Sequence, residues 1–414
     1  MFGLLKQYQR IISSRSYFPL WLGQLVSNFG DTLNYVALVV LVYQISRSGL
    51  AVSTMVVFEI IPVLLLGPVA GVVIDRFSRK TILITSDLVR AALVISLIFA
   101  QSSWQIYLIA TGLVAAGVFF NPTIQAIIPA IVDKESLLAA NSVAWTTGRL
   151  VQIIASALAG GLIALTGPNL AFGLNALTFI FSAGMILMVP IPPHAGEISR
   201  ANRRGLNGWI GDVKSGLTYA FRDRFVSRLL VVQALSSLAV GATSALLVVL
   251  SEKHLNQSPA GFAWLLLAIG AGALLGPIIF GSFTGDYRKV QYLFMPYVFR
   301  GIGDILLAVV TALPVALLLL FIYGLNTSTG MVVYNSILQS EVKEEIRGRV
   351  FTLLDMVWSL MRLISLALGG VLVELVGIET VYFSGGGLLT VAGIVGLILL
   401  KSYEFKPVKS ESAN

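Results

Sequence analysis

The sequence predicts an all-α membrane protein of about twelve transmembrane helices, built as two pseudo-symmetric six-helix bundles. Three observations predict it: a composition too apolar for a soluble chain, long apolar segments at regular intervals, and a repeat relating the two halves. Apolar residues fill 57% of 414 positions and charged residues 12%, with a mean hydropathy of +0.88. A soluble protein of this length carries about twice that charge fraction. A hydrocarbon layer about 30 Å thick needs roughly 20 apolar residues per helical span. At about 33 residues per span and loop, the chain holds roughly twelve. Helices are the only spanning option, because lipid cannot satisfy exposed backbone groups and no alternating barrel strands are visible.

In chain order the apolar segments fall at 17–46, 51–73, 81–101, 105–131, 138–166, 169–190, 226–250, 258–283, 290–311, 314–339, 349–376 and 380–401. The first follows Lys6, Arg10 and Arg15. It is too long for a signal-peptide core and lacks a small-residue cleavage site, so it reads as a retained helix. After the sixth, Pro190, Pro192 and Pro193 stop the helix, and a polar segment with Arg200, Arg203, Arg204 and Lys214 follows. Within it Leu206, Ile210, Val213, Leu217 and Phe221 recur at helical spacing beside Trp209. This is either an amphipathic helix at the membrane surface or a solvated linker with incidental periodicity. The expected organisation is an N-terminal bundle 1–190, a linker 191–225, a C-terminal bundle 226–401 and a tail 402–414.

A shift of 209 residues aligns Gln24 with Gln233, Ser27 with Ser236, Gly67-Pro68 with Gly276-Pro277, Arg79-Lys80 with Arg288-Lys289, and Gly160-Gly161 with Gly369-Gly370. A one-residue slip then places Arg90 on Arg300. Two six-helix halves in one orientation form a cavity near the bilayer midplane and alternate its access by rocking.

The net charge of +8 is an orientation signal rather than a nucleic-acid signal. Of 28 Lys and Arg, only Arg47 and Lys253 fall in the loops opposite the termini, and Arg90, Arg149, Arg300 and Arg362 lie deep inside predicted spans. The remainder cluster at the termini and every second loop, which places both termini in the cytoplasm by the positive-inside rule. The expected location is the cell inner membrane.

Gly71-Val-Val-Ile-Asp75-Arg76-Phe-Ser-Arg79-Lys80 joins the second and third spans. It resembles the signature loop of the major facilitator superfamily, with Ser78 where the family usually has glycine. Gly71 permits close helix approach, and Asp75 can face a helix N-terminus. A degenerate copy follows in the second half, with Asp286, Arg288 and Lys289. Ser27-Asn-Phe-Gly30-Asp31, Asn121-Pro122, Ala140-Asn141-Ser142 and Arg347-Gly348-Arg349-Val-Phe resemble the branch of macrolide-efflux and enterobactin-export proteins. The resemblance implies outward transport of an amphiphilic or siderophore-like compound, driven by inward proton flow. The fifth span carries Ser156-Ala157-Leu-Ala-Gly160-Gly161, departing from the proline-containing motif typical of exporters in this superfamily.

A charge in mid-bilayer costs about 2.5–3.5 kcal/mol on insertion scales, so it faces a cavity or a partner. Gln24, Ser27, Asp31 and Asn34 follow one another at spacings of 3, 4 and 3 on one face of the first span. Asp31 is therefore either a proton-coupling acid or a carboxylate locked to an arginine. Val240 stands at its position in the second half, beside Gln233, Ser237 and Ser244. Glu59 in the second span is a further acid at comparable depth. Arg149, with Gln152 and Trp145 on its face, is the expected counter-ion for an acid or for anionic cargo. In the eleventh span Asp355, Trp358, Ser359 and Arg362 share a side. Asn121 and Gln125, and Asn335 and Gln339, form the same i, i+4 pair in both halves, as cavity-facing or interhelical hydrogen bonders. Asp87 with Arg90 and Arg300 with Asp304 lie on spans expected at the periphery. Salt bridges within each helix explain both pairs, and neither is expected to meet cargo.

No G-x-x-x-x-G-K-[ST] loop, H-E-x-x-H motif or nucleophile elbow is present, so neither a nucleotide-driven pump nor an enzyme is expected. There is no cysteine, and His194 and His254 fall in loops on opposite sides; no metal or cofactor is expected. The expected partners are a small-molecule substrate, protons and membrane lipid, acting on a monomer. Two rivals remain open at this level: a lysolipid-type flippase or uniporter without proton coupling, and a transporter-like receptor or assembly partner.

Overall fold

The computed structural model describes residues 11, 13–133, 136–191, 218–219, 222–257, 259–283, 289–342, 344–403 and 405. Some side chains within its helices, those of Gly71, Asp75, Trp145, Arg149 and Gln339 among them, lie outside that description. So do the amphipathic segment expected at 206–217, Phe221, His194, Asp286 and Arg288.

Among the described residues the chain forms twelve long helices. The first six are α1 (Tyr17–Ser46), α2 (Gly49–Arg76), α3 (Arg79–Ser96), α4 (Ser103–Ile131), α5 (Leu137–Thr166) and α6 (Pro168–Met188). The second six are α7 (Arg224–Ala245), α8 (Pro259–Phe283), α9 (Val290–Leu307), α10 (Leu313–Glu341), α11 (Glu344–Val376) and α12 (Ile378–Leu399). Ten of the helices contain a stretch long and apolar enough to cross a membrane; α8 and α9 occupy the other two expected positions.

The breaks have local causes. Arg47 ends α1 in the left-handed conformation, φ 52°, and the Ser48 side chain accepts from the Ala51 N–H at 3.2 Å to start α2, filling an orphan donor of the new helix. Ser78, where the superfamily loop favours glycine, caps α3 by accepting from Thr81 N. Gly167 (φ 76°) and Gly377 (φ 87°) form the left-handed turns between α5 and α6 and between α11 and α12. A side chain at either turn is strained. The two glycines fall at the same place in the two halves.

The chain clusters into two compact units, Met1–Trp209 with Ser258–Leu267, and Ile210–Gln257 with Ala268–Asn414. Each shows the same pairing: α1 packs on α5 and α6 and α3 on α6 in the first, while α7 packs on α11 and α12 and α9 on α12 in the second. Lipid tails are as apolar as leucine, so such helices are held by close packing and hydrogen bonds rather than by exclusion of water. In the first unit Tyr17, Leu20, Leu83, Phe120, Ile127 and Ile186 form one buried cluster, and the Tyr17 hydroxyl donates to Ala140 O at 2.6 Å. In the second, Tyr403 stacks on Phe225 at 5.0 Å and donates to Glu341 Oε2 at 2.8 Å. Burial first, and the Glu341 carboxylate second, push the Tyr403 phenol above its usual range, so it remains a donor.

Candidate functional site

The polar stripe on α1 opens onto a cavity of about 570 Å³ inside the first unit. Gln24, Ser27, Asp31 and Asn34 all line it, as their shared face predicts. Glu59 of α2, Arg90 of α3, Asn121 and Phe120 of α4, and Phe179 of α6 complete the polar and aromatic wall. Asp31 sits near the middle of the 30-residue α1, and its side chain is 44% accessible. It is neither turned away from the cavity nor sealed.

Gly30 sets how closely α1 and α6 approach beside that acid. A Cβ there collides with Thr178 Oγ1 and Asn175 Oδ1, so only glycine admits the α6 polar side chains at this level. Asn175 is fully buried and reaches toward the Asp31 carboxylate. Its Oδ1 accepts from Thr178 Oγ1 at 3.0 Å, and its buried Nδ2 has no hydrogen-bond partner among the described residues.

Arg90 is the counter-ion that the geometry brings to Asp31. Its Nη1 lies 3.8 Å from Asp31 Oδ2, and its Nη2 donates to Asp87 Oδ1 at 2.5 Å. The within-helix pair with Asp87 is therefore present as expected. The peripheral assignment of α3 is not: Arg90 lines the cavity. Its guanidinium carbon sits 4.5 Å from the Phe120 centroid and 4.3 Å from that of Phe179. Cation–π contact of this kind is strongest where water is excluded, and Arg90 is only 8% exposed. Sequence reasoning missed this role because the partner rings come from two other helices. The available signal was an arginine at the same depth in both halves.

Asp31, Asn28, Tyr35 and Asn121 also border a groove of about 800 Å³, with Gly148, Gln152 and Ser156 of α5 on its other side. Gln152 thus borders the same groove as Asp31, while the side chains of Arg149 and Trp145, expected on its face, lie outside the described residues. Gln125 is exposed on α4 and is not among the residues lining the cavity.

The second unit places its polar residues differently. Gln233 is half-buried on α7, and its backbone oxygen accepts from Ser237 Oγ at 2.7 Å. Asn335 turns its amide onto Met331 O at 2.9 Å. On α11 Asp355 is exposed, and Arg362 lies 4.9 Å over the Trp358 ring, one turn away. Arg300 donates to Ser244 Oγ at 3.1 Å and stacks over Tyr323 at 4.3 Å. Tyr334, which the sequence did not single out, buries a hydroxyl without a hydrogen-bond partner.

The loop after α2 ties helix ends together. Arg79 Nη1 donates to Ala126 O near the end of α4 at 2.9 Å, and Lys80 Nζ to Leu187 O and Val189 O at the end of α6 at 2.7 and 3.2 Å. Lys80 satisfies carbonyls left open at the end of α6, and both cations oppose the negative end of a helix. Arg76 and Lys289 are exposed.

Residues 12–412 match the family described as transmembrane secretion effector. The chain is 27% identical over 401 residues to the MFS-type transporter YfiS of Bacillus subtilis, covering 93% of each. It is 23% identical over 389 residues to macrolide efflux protein A of Streptococcus pyogenes, covering 92% of this chain and 94% of that one. Its fold resembles the crystal structure of the nucleoside transporter NupG with a TM-score of 0.70 at 14% identity, covering 93% of this chain and 100% of that chain. With twelve helices, paired repeats and a polar cavity walled by α1, the chain belongs to the transmembrane secretion effector family of the major facilitator superfamily and is a multi-pass membrane transporter.

Proposed function

We propose that this chain exports an amphiphilic small molecule across the cell inner membrane in exchange for protons, by alternating access. One observation carries the reading. Asp31, a carboxylate in the middle of a membrane helix, is 44% accessible in a polar cavity and 3.8 Å from the Arg90 guanidinium. A carboxylate so placed is costly unless it serves transport, and one open to the cavity can exchange a proton with water there. The similarity to macrolide efflux protein A supports an outward direction and an amphiphilic cargo.

In this scheme Asp31 takes a proton when the cavity opens outward and gives it up toward the cytoplasm, with both termini cytoplasmic. Glu59, on the same wall, is the second acid, and Arg149 and Arg362 remain candidate partners for cargo charge. Cargo and proton compete for the one cavity, so binding of either biases the conformational equilibrium by its differential affinity. The loop from Gly71 to Lys80 and its copy at 285–289 act as gates, and the working unit is a monomer. Phe120 and Phe179 offer apolar contact to the cargo.

The test uses cells expressing the chain and a radiolabelled macrolide. The expected result is lower steady-state accumulation than in control cells, with the difference abolished by a protonophore and by Asp31→Asn. Export that persists unchanged in Asp31→Asn cells rejects proton coupling through this residue.

A further inference from the structure

We propose that Asp31, Arg90 and Asp87 form one unit that holds a single exchangeable proton, with Asp87 and the two phenylalanine rings as positioning groups that keep Arg90 from closing on Asp31. The inference rests on the reading of Asp31 as the coupling acid and names what makes it exchangeable.

The geometry divides the two acids. Asp87 is fully buried and takes a short hydrogen bond from Arg90. Asp31 is partly open to the cavity and stands 3.8 Å from Nη1, beyond the roughly 2.7–2.9 Å of a charge-assisted hydrogen bond. Phe120 and Phe179 both lie against the guanidinium, which restrains it from moving off Asp87. Asp31 is therefore attracted by the arginine without being bonded to it.

Two carboxylates and one guanidinium leave the cluster one negative charge, which one proton cancels. The proton moves between cavity water and Asp31, while Asp87 and Arg90 stay paired as an internally neutral couple. Closing the cavity around the deprotonated cluster strands an uncompensated charge, which is costly in low dielectric. Closing around the protonated cluster does not. Among the described residues the surroundings add few competitors. Glu59 of α2 lines the same cavity, α4 contributes the neutral Asn121, and α6 the neutral Asn175, Thr178 and Ser182, the last beside Asp87. From α5 the neutral Gln152 borders the adjoining groove, and the Arg149 side chain lies outside the described residues.

Infrared titration of the purified full chain in lipid nanodiscs reads the proton directly, with no cargo, through the carbonyl stretch of protonated carboxylic acids. The wild type is expected to show a band that disappears with rising pH and is missing in Asp31→Asn. In Asp87→Asn, Asp31 is the sole acid left beside Arg90, and the band's midpoint moves down by about one pH unit or more. In Arg90→Gln the two acids lose their cation, so the midpoint moves up by a similar amount and a second carboxyl band appears. Phe179→Leu leaves every charge in place and loosens the restraint; it gives a smaller downward shift and keeps the test decisive if a charge variant fails to fold. An Asp31 band whose midpoint stays put in the folded variants overturns the unit while leaving Asp31 as the coupling acid. Macrolide export unaffected by Asp31→Asn instead overturns the functional reading, whatever the bands do.

Discussion

The interface of α3 with α6 and that of α9 with α12 occupy the same place in their units and are built from opposite materials. In the first, Arg90 fills the contact, stacked on Phe179 and bonded to Asp87, with Asp31 of α1 alongside. In the second, the backbones close directly. A Cβ on Gly301 runs into Thr390 and the Gly386 carbonyl, and one on Gly393 into Val298 and Phe294 O. Arg300 is retained, but it reaches out to Ser244 and Tyr323, and α7 offers Val240 where α1 has Asp31. One scaffold thus holds a cavity-facing arginine junction in one half and, in the other, a junction closed by glycine contacts beside the buried Asp304. On the proposed reading one proton site serves the whole molecule, and the half without it is free to become a packed support.

Changes that exchange the two solutions break the comparison, and thermal melting of the purified variants in detergent measures the cost. Val240→Asp places an acid on α7 without the surroundings of Asp31 and is expected to lower folded yield most, by about 2.5–3.5 kcal/mol on insertion scales. Gly301→Leu overpacks the α9–α12 contact and is expected to cost about 1–3 kcal/mol. Phe120→Leu removes one ring from Arg90 and is expected to cost about 1 kcal/mol through lost cation–π contact. The smallest effect is at Ser78. Because its side chain caps α3, Ser78→Gly restores the superfamily pattern yet lowers stability by only a few tenths of a kcal/mol. A gain in stability from Ser78→Gly contradicts the cap.

Much of this arrangement is legible in the residues because membrane helices expose their periodicity. Lipid forces every polar side chain in a span to one face, so the spacing of Gln24, Ser27, Asp31 and Asn34 locates the cavity wall before any packing is known. The repeat at Arg79-Lys80 and Gly160-Gly161 likewise announces two related halves. Spacing fails where partners come from other helices. Asp87 and Arg90 look self-sufficient one turn apart, and nothing in α3 reveals that Phe120 and Phe179 flank the guanidinium or that Asp31 lies within 3.8 Å. Arg79 and Lys80 read as surface charges, yet each finds backbone carbonyls at the end of a helix far along the chain. Gln125 shares a face with Asn121 by spacing, but only Asn121 lines the cavity.

The central claim is that one carboxylate in the first unit links cargo movement to the proton gradient. Reconstituted into vesicles, wild type and Asp31→Asn are to be compared for two activities with the same radiolabelled macrolide: accumulation driven by an imposed pH difference, and exchange against unlabelled macrolide with no gradient. The account predicts that Asp31→Asn loses accumulation at least tenfold yet keeps exchange, since the cavity survives and the proton site does not. Equal accumulation by both proteins contradicts it.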